Sequence, residues 1–295
     1  MKKQNFRILY LIGIACFTSC SSEVENARLT TDLPMELMAQ VSQVNSRATS
    51  DNVWTGDGTE TVSVSDGNKT AAYKIINREG DMEAVDTKNQ LYWASATTPQ
   101  SVQAWYPATA DNQPVSAWTV QADQSAGGFQ QSDLLYTSTE VALQGNKKLF
   151  FRHATAKVIV HLHGNGSNDA ELEGATISIK NSMLTGTMTY GSLTASGSTL
   201  ASIIPKAMQS PDGYIVSCQA LMIPQLIHDV PFIVITTKSG TVYEYIPKGE
   251  NGKLEGTCQN IYYITVGKPG ISVVVEKSSS QWGSEGDEEV NAASL

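Results

Sequence analysis

The stretch Thr61-Val62-Ser63-Val64-Ser65-Asp66-Gly67-Asn68-Lys69-Thr70-Ala71-Ala72-Tyr73-Lys74-Ile75 sets the pattern for the whole chain. Two short β-prone segments flank Asp66-Gly67-Asn68, a hairpin-type turn. The same unit recurs on both sides. Upstream, Leu33, Met35, Leu37, Ala39 and Val41 alternate with Pro34, Glu36, Met38, Gln40 and Ser42, which reads as a half-buried strand. Leu37, Met38, Val41 and Val44 also fit a helix, and the strand reading is preferred. Downstream come Val102-Gln103-Ala104-Trp105-Tyr106, Val158-Ile159-Val160-His161-Leu162, Phe232-Ile233-Val234-Ile235, Ile261-Tyr262-Tyr263-Ile264-Thr265-Val266 and Ile271-Ser272-Val273-Val274-Val275. Many short strands with turn residues between them, and no βαβ alternation, point to sandwiches of mostly antiparallel sheets. The loop 164–174 reads as a hairpin connection.

Composition agrees. Charged residues make up only 17% of the 295-residue chain and glycine is plentiful at 23 residues, as expected of an all-β protein with many turns. The length suits two domains of ordinary size. We place them at 29–150 and 151–283, with a polar, acidic tail at 284–295 that is expected to be disordered. The formal net charge of −9, with no basic stripe, excludes nucleic acid as the default partner.

Residues 1–19 read as an export signal, with Lys2, Lys3 and Arg7 ahead of an apolar stretch too short to span a membrane. Thr18-Ser19-Cys20 resembles a lipobox, in which Cys20 becomes the acylated first residue and 20–28 a tether. An ordinary signal peptide cut near Ser19 or Ser22 is the alternative. Losing the three basic residues takes the charge from −9 to −12. Cys218 and Cys258 then remain, as a disulfide or as two separate thiols.

Catalytic chemistry finds no foothold. His161-Leu162-His163 has chelating spacing and His153 shares its parity, but Glu171 is too distant for a cupin-like set, and a solvated strand face accounts for the pair. Lys238-Ser239-Gly240 lacks a Ser-x-x-Lys partner and reads as a hairpin turn. No phosphate loop or nucleophile elbow occurs, so neither an enzyme nor a cofactor is expected. Trp93, Trp105, Tyr106 and Trp118 offer rings for sugar stacking, although core packing is the stronger reading.

Several segments, in order, resemble the fimbrillin family of Bacteroidetes lipoproteins. After the lipobox come Asn45-Ser46-Arg47-Ala48-Thr49, Val102-Gln103-Ala104-Trp105-Tyr106-Pro107 and Phe151-Arg152-His153-Ala154-Thr155-Ala156-Lys157-Val158. Ala220-Leu221-Met222-Ile223-Pro224-Gln225 and the closing strands through Trp282 follow. The resemblance implies two transthyretin-like Greek-key β-sandwiches in a non-enzymatic pilus subunit, lipid-anchored at the outer membrane before assembly. It also implies an arginine-specific protease, other pilin subunits as partners in a homo- or hetero-polymer, and a role in adhesion to an unidentified surface receptor. Arg47, with Ala48 following, fits the cleavage site; Arg28 is the alternative but precedes the candidate strand. Cutting at Arg28 would release only the tether. Removal of the N-terminal strand then opens a groove for a strand of another subunit. Ile271, Val273 and Val275 fit a donor strand, or equally a permanent edge strand. A glycan-binding lipoprotein, and a non-polymerising anchor or tip component, are the other readings.

Overall fold

The computed structural model describes residues 33–41, 54–111, 113–267 and 270–278. Strand accounts for 50% of the described residues and helix for 6%, so the chain is all-β as its pattern implies. The first strands are β1 (Met38–Val41), β2 (Thr61–Ser65), β3 (Thr70–Ile75), β4 (Met82–Ala84) and β5 (Gln100–Tyr106). Next come β6 (Ala117–Thr119), β7 (Leu135–Val141), β8 (Lys148–His153), β9 (Ala156–His163), β10 (Thr176–Met183), β11 (Thr185–Thr189) and β12 (Ser192–Ala195). The remainder are β13 (Leu200–Ile203), β14 (Lys206–Met208), β15 (Val216–Met222), β16 (Gln225–Leu226), β17 (Ile233–Thr236), β18 (Val242–Tyr245), β19 (Lys253–Leu254), β20 (Gln259–Gly267) and β21 (Gly270–Ser278).

The opening hairpin forms as its sequence implies. Val62 stands opposite Tyr73 and Val64 opposite Ala71. The carboxylate of Asp66 accepts from the amides of Asn68 at 2.9 Å and Lys69 at 2.8 Å, which closes the turn. The 237–241 turn between β17 and β18 is likewise a hairpin. The 164–174 loop differs from the plain connection expected: it carries a helical turn, α1 (Asp169–Leu172), that sinks Leu172 into the core.

Seven strands form one sheet in the order β1-β8-β7-β5-β2-β3-β4. Its core holds Met35, Leu37, Ala39, Val62, Val64, Tyr73, Ile75, Val102, Leu149 and Phe151, the period-two positions of their strands. A second core lies between the five-stranded sheet β14-β15-β9-β20-β21 and the sheets β13-β10-β17-β18 and β12-β11-β6. Val158, Val160 and Leu162 of β9 and Tyr262, Ile264 and Val266 of β20 meet Ile177 and Ile179 of β10 and Ile233 and Ile235 of β17 across it. The result is sandwich-like.

The chain passes between the two cores at adjacent points. Leu134 belongs to the second and Leu135 to the first, while Phe151 belongs to the first and Ala154 to the second. Between Tyr106 and Leu135 the chain visits the second core, where β6 pairs with β11 and Val120 is buried. No disulfide joins Cys218 and Cys258. Burial of Cys218 in the second core pushes its thiol up to about 12. A thiol so placed stays protonated and unreactive. In the folded chain at pH 8, iodoacetamide should leave Cys218 unmodified and alkylate it only after unfolding in urea, as read by peptide mass spectrometry.

Candidate functional site

The feature with the clearest consequence for function is the seat of β1. This strand is hydrogen-bonded on both edges. On one side it runs parallel to β8, with Met38 opposite Lys148 and Val41 opposite Phe151. On the other, Ala39 N donates to Gly80 O at 2.7 Å and Met82 N to Leu37 O at 3.2 Å. The segment just before β1 continues the contact: Met35 N donates to Leu91 O and Trp93 N to Leu33 O, each at 2.9 Å. The segment 33–41 therefore fills the gap between β8 and β4, the ends of the other six strands, and closes the sheet on itself.

Side chains reinforce the closure. Met35, Leu37 and Ala39 are 3%, 2% and 0% exposed, the alternation anticipated for this segment. The indole N–H of Trp54 donates to Ala39 O at 2.9 Å, and its ring meets Tyr106 edge-on at 5.4 Å and Phe151 at 6.0 Å. Tyr106 and Phe151 come from two of the segments that carry the family resemblance, so those aromatics serve the seat. Sequence alone does not single out Trp54, because a lone tryptophan beyond a strand gives no signal of its partner. Gly80 completes the seat: at φ +91° a Cβ there would stand 1.8 Å from Ala39 O. No side chain fits without displacing β1. Gly80→Ala should lower the unfolding free energy by about 2 kcal/mol or more, measured by urea titration; an unchanged midpoint would show that β1 does not hold this position.

The passage between the cores is the second built feature. His153 Nδ1–H donates to the Asp133 carboxylate at 2.8 Å, with the histidine side chain 3% exposed. Leu135 pairs with His153 in the ladder and Ala154 N donates to Leu134 O at 2.7 Å. Two buried glutamines extend the backbone network. Gln124 Oε1 accepts from Leu221 N and its Nε2 donates to Leu221 O, each at 2.8 Å, just past the end of the β14–β15 ladder. Gln225 does the same for Met183, accepting at 2.9 Å and donating at 3.1 Å. Each amide side chain stands in for a missing strand neighbour. This gives the Pro224-Gln225 element a structural role and Gln124, which no sequence motif marks, a matching one. His153→Ala should cost about 1–3 kcal/mol by urea titration, with a strongly sub-additive effect when combined with Asp133→Ala.

Cys20, Arg47 and Ala48 lie outside the described residues, Arg47 and Ala48 between the end of β1 and Trp54. Ile271, Val273 and Val275 lie on β21, the edge strand of the five-stranded sheet, and pack against the second core while Val274 points out. The expected solvated face for His161 and His163 is corrected in part. His161 is buried, hydrogen-bonded to the Ser217 hydroxyl at 2.8 Å and stacked on Tyr263 at 5.4 Å, whereas His163 is exposed. Among the described residues no cluster of three or more His, Cys, Asp or Glu side chains is placed to hold a metal ion. Trp93 and Trp105 are buried, and the indole N–H of the half-buried Trp118 donates to Ser132 O at 2.9 Å, so these rings form no open platform. Among the described residues no helix is long and apolar enough to cross a membrane.

The fimbrillin-like family model matches residues 45–282, and the chain belongs to that family. Its fold is similar to that of a candidate cell adhesion protein of Bacteroides ovatus, at 18% identity and a TM-score of 0.67, covering 87% of this chain and 100% of that one. A second candidate cell adhesion protein, from Bacteroides uniformis, aligns at 19% identity and a TM-score of 0.64 over 85% of this chain and 99% of that one. The tip fimbrial protein Mfa3 of Porphyromonas gingivalis, truncated at its C terminus, aligns at 10% identity and a TM-score of 0.52 over 85% of this chain and 100% of that one. No curated protein matches the chain.

Proposed function

We propose that this chain is a structural subunit of cell-surface fimbriae, anchored first at the outer membrane through an acylated Cys20 and then released and polymerised by strand replacement. The observation that carries this reading is the doubly hydrogen-bonded β1. A cut after Arg47 severs the covalent link between β1 and the rest of the chain, so β1 is then held by non-covalent contacts alone. Its departure leaves a slot with open N–H and C=O groups on two strands and an orphaned Trp54 indole N–H. Vacating the Met35 and Leu37 sites exposes apolar surface worth about 1.5–3 kcal/mol for each side chain. An empty slot of this kind favours any strand that presents small or medium apolar side chains at alternate positions.

β21 has that form. Ile271, Val273 and Val275 repeat the two-residue spacing of Met35, Leu37 and Ala39. Its ladder hydrogen bonds run to β20 alone, so it detaches at the cost of one ladder. The seat belongs to the first core and β21 to the second, at opposite ends of the sequence. Donation from one copy to the seat of the next is head-to-tail and builds an open filament. The role is structural and adhesive, with other pilin subunits, an arginine-specific protease and a surface receptor as partners.

Filaments recovered from cells should contain chains that begin at Ala48, in ladders that survive mild denaturation, and Arg47→Ala should abolish both. Normal filaments from Arg47→Ala, or filament chains that keep an acylated Cys20 terminus, would remove the role assigned to Arg47 and to β1 release.

A further inference from the structure

On the outer face of the first sheet the strands β7 and β8 meet the tip of the β11–β12 hairpin and enclose a groove of about 580 Å³. The hairpin turn is Tyr190-Gly191, with φ +48° and +80°. Both central residues of this tight turn lie in the left-handed region, where Asn-Gly is the usual choice. Glycine is required at the second position, since a Cβ on Gly191 would stand 2.5 Å from the Tyr136 ring. Tyrosine at the first position is strained, and its side chain is 102% exposed, so no packing offsets the strain. A strained residue that contributes nothing to the core marks a place where the side chain is used.

The groove around it has consistent chemistry. Tyr136 and Arg152 are direct cross-strand partners, and Phe150, 45% exposed, shares their face. Among the described residues no carboxylate pairs with Arg152. Ser138 and Ser192 add hydroxyls to the lining. The two strands of the first sheet that line it are interior ones, β7 between β8 and β5 and β8 between β1 and β7. On the β7–β8 side recognition therefore runs through side chains.

We propose that this groove binds an acidic saccharide, with the Tyr190, Phe150 and Tyr136 rings against the apolar faces of the sugar rings and the Arg152 guanidinium on a carboxylate. Aromatic faces supply contact area, and the planar guanidinium matches a carboxylate in a two-point fork. The volume lies within the range of small-ligand sites. The site does not depend on Arg47 cleavage or on strand replacement, so it stands or falls separately from the assembly mechanism.

Isothermal titration of the full chain with 3′-sialyllactose, tri-galacturonate and lactose tests the idea. At least one of the two acidic sugars should bind, with Kd below about 1 mM and at least about tenfold tighter than lactose; which one binds separates a sialic acid source from a uronic acid source. Arg152→Gln should remove that preference. Tyr190→Gly should weaken binding at least about fivefold while leaving the melting temperature unchanged or raised, since glycine relieves the turn. That second readout separates lost binding from lost folding. Equal affinity for acidic and neutral sugars, no binding by either acidic sugar, or unchanged binding in both variants would overturn the proposal.

Discussion

The structure depends on a single constraint: backbone groups on both edges of the segment 33–41 must find partners, and they find them only if the segment lies between β8 and the 80–93 region. That position closes the first sheet. It also explains why Gly80 has no side chain, why Trp54 sits where its indole reaches Ala39 O, and why Tyr106 and Phe151 gather around that ring. In sequence the closing strand is joined to the rest of the first core by the segment containing Arg47. A closing element on a short tether is the arrangement that one peptide-bond cleavage can convert into an empty slot. Among family members that build filaments, the same physical logic would apply to any subunit with a terminal strand held on both edges.

Most of the rest of the chain packs around the second core. The passage between cores is narrow, and His153, Asp133, Leu134 and Ala154 hold the two crossing segments side by side. The Phe151-to-Val158 element reads physically as that passage: Phe151 faces the first core, His153 binds Asp133, and Ala156 and Val158 face the second. Its resemblance to a family pattern thus has a mechanical basis. The sandwich beyond it ends in β21, whose alternate residues cover the second core from its rim.

Much of this fold is legible in the sequence, for a definite reason. Period-two alternation reports which side of a strand is buried, so the inward positions Met35, Leu37, Ala39, Val62 and Val64 follow from the residues alone. Alternation does not report the neighbouring strand. The parallel pairing of β1 with β8, the closure through Gly80 and the return of 113–134 to the second core join residues far apart in sequence, and no local signal marks them. The solvated face expected for His161 fails for the same reason. Its face of β9 is covered by Tyr214 and Tyr263, one of them outside any strand and the other on a different strand. The groove at Arg152 is equally hidden from the sequence, because its opposite wall is a hairpin tip nearly forty residues away along the chain.

The most direct measurement uses a chain that begins at Ala48 and a synthetic peptide spanning residues 268–278. If segment 33–41 closes a slot that another strand can fill, the shortened chain unfolds at lower temperature than the full chain, binds the peptide saturably and recovers stability on binding, while a scrambled peptide does neither. A shortened chain as stable as the full one and indifferent to the peptide would contradict that claim.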